Sequence, residues 1–211
     1  MLHFVKSKNL PFSTEEVKRV CSNCQICSDL KPMFYQSANI CELIKSIRPM
    51  DRLSIDFKGP FLSNSRNKYL FTVIDKYSRY PFAFQCPDIS STTVVKCLEQ
   101  IFFFCGFPTY IHSDRGSSFI CNELKSYLTQ KRIAASNSTP YHSISNGQVE
   151  RYNGLIWKNI CLALKTHKID VRNWEIVLSD ALHSLCSLLS TATKCTPHER
   201  LLGCQGCQMA L

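Results

Sequence analysis

Along residues 51–202 the apolar positions change period several times, and each change marks an element. In Arg52-Leu53-Ser54-Ile55-Asp56-Phe57, the apolar Leu53, Ile55 and Phe57 fall on one side of a strand, and Ser54 and Asp56 fall on the other. Residues 69–75 are nearly continuous in apolar and β-branched types, as a strand covered on both faces requires. Residues 79–85 form a third strand after a turn at Lys76-Tyr77-Ser78, so an antiparallel meander is expected. Val94, Val95, Leu98, Ile101 and Phe102 then recur at helical spacing over 91–104, and Gly106 and Pro108 stop that helix. A short fourth strand over 109–112 ends just before Asp114. Gly116 permits a tight turn there, and Ser117 or Ser118 is placed to cap one helix running to Gln130.

The pattern continues with a short fifth strand at 133–135 and a loop over 136–147, rich in Ser, Asn, Pro and Gly. Asn146 is placed to cap the helix that carries Glu150, on which Glu150, Asn153, Gly154 and Trp157 share a face. Residues 173–190 predict a later amphipathic helix, and Pro197 suits the start of a last one. The expected class is α/β: a mixed five-stranded sheet flanked by helices.

Ahead of this domain the pattern is thinner. Ser13-Thr14-Glu15-Glu16 has the form of a capping box, and Val17 and Val20 continue a short helix. Cys21, Cys24 and Cys27 follow, each separated by two residues; such a pair can grip zinc, but a tetrahedral site needs four ligands. The organisation expected is a small module at 1–31, a linker at 32–49 with a helical piece near 41–44, the main domain at 50–202 and a tail at 203–211, where Cys204 and Cys207 repeat the two-residue spacing.

Composition narrows the class. A chain of 211 residues can bury a full core, and its net charge of +9 favours a polyanionic partner. No apolar run approaches the roughly 18 residues of a membrane span, and the first residues lack the apolar segment of a secretory signal. Thirteen irregularly spaced cysteines, an odd number, read as mostly free thiols in a reducing compartment.

The candidate chemistry lies in three carboxylates. Asp114 and Glu150 have 35 residues between them, and Asp56 sits on the polar side of the first strand. Acids that meet repel one another unless a cation lies between them, and hard oxygen ligands suit Mg²⁺ or Mn²⁺. Two such ions can activate an attacking oxygen and stabilise a leaving one, so phosphodiester chemistry is expected.

These acids and the words around them resemble the catalytic core of retroviral and Ty3/Gypsy retrotransposon integrases. The words are Leu53-Ser54-Ile55-Asp56-Phe57-Lys58-Gly59-Pro60, Lys68-Tyr69-Leu70-Phe71-Thr72-Val73-Ile74-Asp75, His112-Ser113-Asp114-Arg115-Gly116-Ser117-Ser118-Phe119, Thr139-Pro140-Tyr141-His142 and Ser145-Asn146-Gly147-Gln148-Val149-Glu150-Arg151. The resemblance implies an RNase H-like fold, Asp56, Asp114 and Glu150 as catalytic ligands of two Mg²⁺ or Mn²⁺ ions, and hydrolysis and joining of 3′ DNA ends. It implies DNA as partner, self-association and a nuclear setting. The first module is similar to the cysteine half of the family's His-His-Cys-Cys zinc module, with Cys24 and Cys27 as its ligands. His3 lies too close to Cys24 for either histidine place, so zinc is expected to bind poorly or not at all. The closing Thr196-Pro197-His198-Glu199-Arg200-Leu201-Leu202 also resembles the family's last element.

Departures from the family pattern are local. The usual Tyr-His-Pro-Gln-Ser-Asn-Gly is Tyr141-His142-Ser143-Ile144-Ser145-Asn146-Gly147, and two helix positions after Glu150 are Gly154 and Trp157. His142, Asn146, Gln148, Arg151 and Lys158 are the expected DNA contacts. Asp75 and His112 are read as structural, and Trp157 and Trp174 as core or interface residues. Two further readings are a domesticated or decayed module that binds nucleic acid or protein without catalysis, and a plain RNase H-like nuclease, which the spacing of the acids disfavours.

Overall fold

A computed structural model describes residues 11–23, 46–138, 147–190 and 194–203. The chain divides into two compact units, Met1–Glu42 and Leu43–Leu211. In the first, helix α1 (Thr14–Asn23) opens on the expected capping box: the Glu16 N–H donates to Ser13 Oγ at 3.1 Å, and the Ser13 N–H donates to Glu16 Oε2 at 2.8 Å. Cys24, Cys27 and the expected linker helix lie outside the described residues.

The second unit is built on a sheet of order β3-β2-β1-β4-β5. Strands β1 (Arg52–Lys58), β2 (Tyr69–Asp75) and β3 (Pro81–Cys86) form the expected antiparallel meander, while β4 (Tyr110–Ser113) joins β1 and β5 (Ala134–Asn137) joins β4 in parallel. Alternation along β1 separates two cores. Leu53 and Ile55 pack with Phe71, Val73 and Ile111 beneath helices α2 (Ser91–Cys105) and α4 (Asn122–Gln130). On the opposite face Leu70 packs with Ile156, Ile160 and Leu164 of helix α5 (Gly147–His167) and with Trp174. That face also carries Arg52, Ser54 and Asp56.

Several expected boundaries move, each for a local reason. The single helix expected after Asp114 is two, α3 (Ser117–Ile120) and α4, because Cys121 between them is extended at φ −64°, ψ 150°. Neither serine caps as expected. Gly116 stands at the start of α3 without a side-chain bond, the Ser118 hydroxyl donates to the Ile89 carbonyl, and the Cys121 thiol accepts from the Leu124 N–H at 3.5 Å. The late amphipathic helix is likewise broken. Residues Val171–Val177 form a 3₁₀ helix kinked at Asn173, followed by α6 (Leu178–Ser187). The last helix, α7 (Pro197–Leu202), starts on the expected proline with a Thr196–Glu199 capping box. No helix of the described residues is long and apolar enough to cross a membrane.

Candidate active site

Three elements deliver the acids. Asp56 lies in β1 on the α5 face, Asp114 follows the last residue of β4, and Glu150 occupies the first turn of α5. Because β1 and β4 run parallel, with Ile55 opposite Ser113, Asp56 and Asp114 lie at the same end of the sheet.

Asp56 is the strained member. Burial, then the charges of Asp114 and Glu150, push its carboxyl up to about 6, while hydrogen bonds from the Phe57 N–H and the Asn153 amide oppose the rise. Those bonds are 2.9 Å from Phe57 N to Oδ1 and 2.8 Å from Asn153 Nδ2 to Oδ2. Asp56 therefore feels the charge of both other carboxylates. Among the described residues, no three His, Cys, Asp or Glu side chains are grouped closely enough to hold an ion as they stand. The donor set itself, hard carboxylate oxygens on three separate elements, fits a divalent ion such as Mg²⁺.

Asp114 is held by its neighbours. The Gly116 N–H donates to Asp114 Oδ1 at 2.8 Å, and Asn137 Nδ2 donates to the Asp114 carbonyl at 2.9 Å and to Ser113 Oγ at 2.8 Å. Gly116 is needed for space rather than for its backbone angle: φ is −55°, but a Cβ would lie 3.1 Å from Asp114 Oδ1 and 3.2 Å from the Phe119 ring.

Two residues that position the acids were not singled out by the sequence pattern. Asn153 is 4% exposed, and the only signal for it was its place one turn beyond Glu150. Asn137 fell within the expected loop of 136–147, yet it ends β5.

Other candidates separate cleanly. Asp75 is fully buried and accepts from the N–H groups of Met50 (3.2 Å) and Ser78 (2.9 Å) and from the Ser78 hydroxyl (2.5 Å), the turn role expected of it. His112 shares a hydrogen bond with Ser136 Oγ through Nδ1 (2.9 Å) and another with Ser138 Oγ through Nε2 (3.3 Å). Burial and the charges of Lys76 and Arg52 hold His112 below the usual histidine range, so it is neutral at pH 7. Trp174 is fully buried, and Trp157 stacks on Phe61 at 4.1 Å, as core residues do. Arg151 and Lys158 are exposed on α5, while His142, Asn146 and the Gln148 side chain lie outside the described set.

Residues 47–143 match the integrase core domain family. The chain is 24% identical over 193 residues to the Pro-Pol polyprotein of feline foamy virus, an alignment covering 92% of this chain and 16% of that polyprotein. The fold is similar to the integrase catalytic core domain of HTLV-2 solved in complex with magnesium, with TM-score 0.62, 20% identity and coverage of 74% of this chain and 99% of that one. It is also similar to a chain of the simian T-cell lymphotropic virus intasome in complex with the PP2A regulatory subunit B56 gamma, with TM-score 0.69, 17% identity and coverage of 100% of this chain and 76% of that one. The sheet and its flanking helices are thus those of the RNase H-like integrase core.

Proposed function

From the premise that the chain carries a retroelement integrase core of the retroviral and Ty3 type, we propose that it cuts and joins DNA 3′ ends by two-metal phosphoryl transfer. One observation carries the reading: a half-buried Asp56 whose carboxyl is pushed up to about 6 by burial and by two further acids on separate elements. A fold keeps such a repulsive cluster when a cation is to be held there.

Asp56, Asp114 and Glu150 would hold the ions. When bound, Mg²⁺ or Mn²⁺ supplies Lewis-acid activation of the attacking oxygen and neutralises the leaving one. The chain's own part is placement. Asn153 orients Asp56 through Oδ2 and leaves Oδ1 accepting only from the backbone. Asn137 and Gly116 fix the turn that aims Asp114. Neutral His112, engaged with two serines, is not placed to move the proton.

DNA is the substrate in this reading, with His142, Asn146, Gln148, Arg151 and Lys158 as its contacts, self-association as its working state and the nucleus as its setting. Cys24 and Cys27 are the cysteine ligands of a zinc module in this reading, with zinc bound poorly or not at all, and residues 50–202 form the catalytic domain. The match spans 16% of the polyprotein quoted above, so the activity is proposed for the segment this chain represents.

The test is Mn²⁺-dependent nicking near the 3′ end of a short duplex by the parent and by Asp114→Asn. The variant removes ligand charge at nearly constant volume. Nicking by the parent and a loss of at least about 100-fold in the variant, at unchanged melting temperature, is the expected result; equal nicking by both would refute the assignment.

A further inference from the structure

Beside Asp56, the interface between the sheet and α5 holds polar atoms that the chemistry above does not use. Thr72 is fully buried and stands directly opposite Asp56 in the antiparallel pairing of β1 with β2. Residues paired in this way project to the same side of the sheet with Cβ atoms about 4.5–5.5 Å apart, so Thr72 faces α5 next to the acid. Asn153 meets it from the inward line of α5, between the fully buried Val149 and Ile156. Among the described residues, Thr72 Oγ1 and Asn153 Oδ1 are buried and find no hydrogen-bond partner. The same holds for Ser54 Oγ, two residues before Asp56 on the same side of β1.

The two groups beside the acid are chemically complementary. An ionised carboxylate only accepts, so the Asn153 amide must turn its NH₂ towards Asp56, as it does at 2.8 Å. That orientation leaves the amide oxygen as an acceptor in need of a donor, and the Thr72 hydroxyl is a donor in need of an acceptor. A β-branched residue suits a strand, but valine would serve that purpose equally between Phe71 and Val73, without burying an unpaired hydroxyl. The hydroxyl therefore calls for a reason of its own. Ser54 is the less direct neighbour, since it stands opposite Ile74 on β2 and His112 on β4.

We propose that Thr72 is a positioning residue for the candidate site: its hydroxyl donates to Asn153 Oδ1, directly or through one ordered water, and so locks the amide that orients Asp56. The inference rests on the reading of Asp56 as a metal ligand. Carboxylates that ligate a metal are held in turn by hydrogen bonds from outside the ligand set, and losing such a partner weakens metal binding. Here the chain of contacts runs from β2 through α5 to β1. With Thr72 in place, the amide has one satisfied orientation, and Asp56 Oδ2 keeps its donor. Without it, the terminal torsion of Asn153 is broad and the donor swings away for part of the time.

The test is a double-mutant cycle on the full chain without DNA, using Thr72→Val, Asn153→Ala and the two together. Two quantities are read: the unfolding constant from urea titration in EDTA, and Mn²⁺ affinity from the spin-resonance signal of the free ion. Thr72→Val is expected to raise the unfolding constant about threefold to tenfold in the parent, and less than about twofold beside Asn153→Ala. It is expected to weaken Mn²⁺ binding about tenfold, and Thr72→Ser, which keeps the hydroxyl, to restore that binding. An unfolding constant for Thr72→Val at or below the parent's would show an idle hydroxyl and overturn the proposal. So would equal costs in both backgrounds, which place its partner elsewhere, or coupling with Mn²⁺ affinity unchanged. A cycle in which Ser54→Ala couples to Asn153→Ala and Thr72→Val does not would assign the donor to Ser54 instead and also overturn it. A parent that binds no Mn²⁺ would contradict the metal site itself, while the urea cycle still decides whether Thr72 holds Asn153.

Discussion

At Asp56 two opposed demands meet in one side chain. Burial and the charges of Asp114 and Glu150 raise its carboxyl to about 6 from the ordinary 3.8, while Phe57 and Asn153 hydrogen-bond the ionised form. Because the folded state holds this proton more tightly than the unfolded state does, the protonated acid favours folding below about pH 3.8, and that advantage is lost as pH rises through about 6. At pH 7 the ionised group is therefore a net cost, about 1–2 kcal/mol once screening on its exposed side is allowed for. Asp56→Asn is expected to raise the melting temperature of the metal-free protein at pH 7 and to remove the fall in stability between pH 4 and 6, read by thermal melts across that range. The same variant loses any stabilisation by added Mn²⁺. A metal-free variant less stable than the parent would show that Asp56 is a structural acid.

Among the elements, those read most easily from the sequence are the ones whose side chains alone decide their state. Strand β2 shows this: residues 69–75 are apolar or β-branched except for Asp75, and both faces of the sheet are covered there. Strand β5 shows the reverse. Ser136 and Asn137 carry turn-forming side chains, and their strand state comes from pairing with His112 and Ser113 of β4, which local propensity cannot report. The carboxylates were legible because their neighbouring words were; Asn137 was not, since its role is to donate to Ser113 and Asp114 across a gap of more than 20 residues. Asn137→Ala is expected to cost about 1–2 kcal/mol in denaturant unfolding and to weaken Mn²⁺-dependent nicking beyond that loss of stability, because the Asp114 turn is released. The helical break at Asn173 was hidden for a similar reason, since an apolar face continues across it to meet α5. Trp174 sits at that break, fully buried, with an indole N–H that has no hydrogen-bond partner among the described residues. Trp174→Phe should therefore change stability by less than about 1 kcal/mol, and Trp174→Ala should cost about 3–5 kcal/mol, as measured by urea unfolding.

Over the whole molecule, charge and topology agree with the proposed DNA substrate. The net charge of +9 favours a polyanion, and the parallel pairing of β1 with β4 sets two acids at one end of the sheet while α5 brings the third. The aliphatic cores on either side of the sheet hold that arrangement. A core of this kind should act alone on a substrate that needs no flanking module to hold it. The most direct measurement is a disintegration assay: the parent chain and Asp114→Asn are each incubated with a branched DNA that mimics the joined product, with Mn²⁺ present. Appearance of the resealed strand with the parent and its absence with the variant is the predicted result. No resealed strand from folded parent protein, or equal amounts from both, would contradict a working two-metal transesterase.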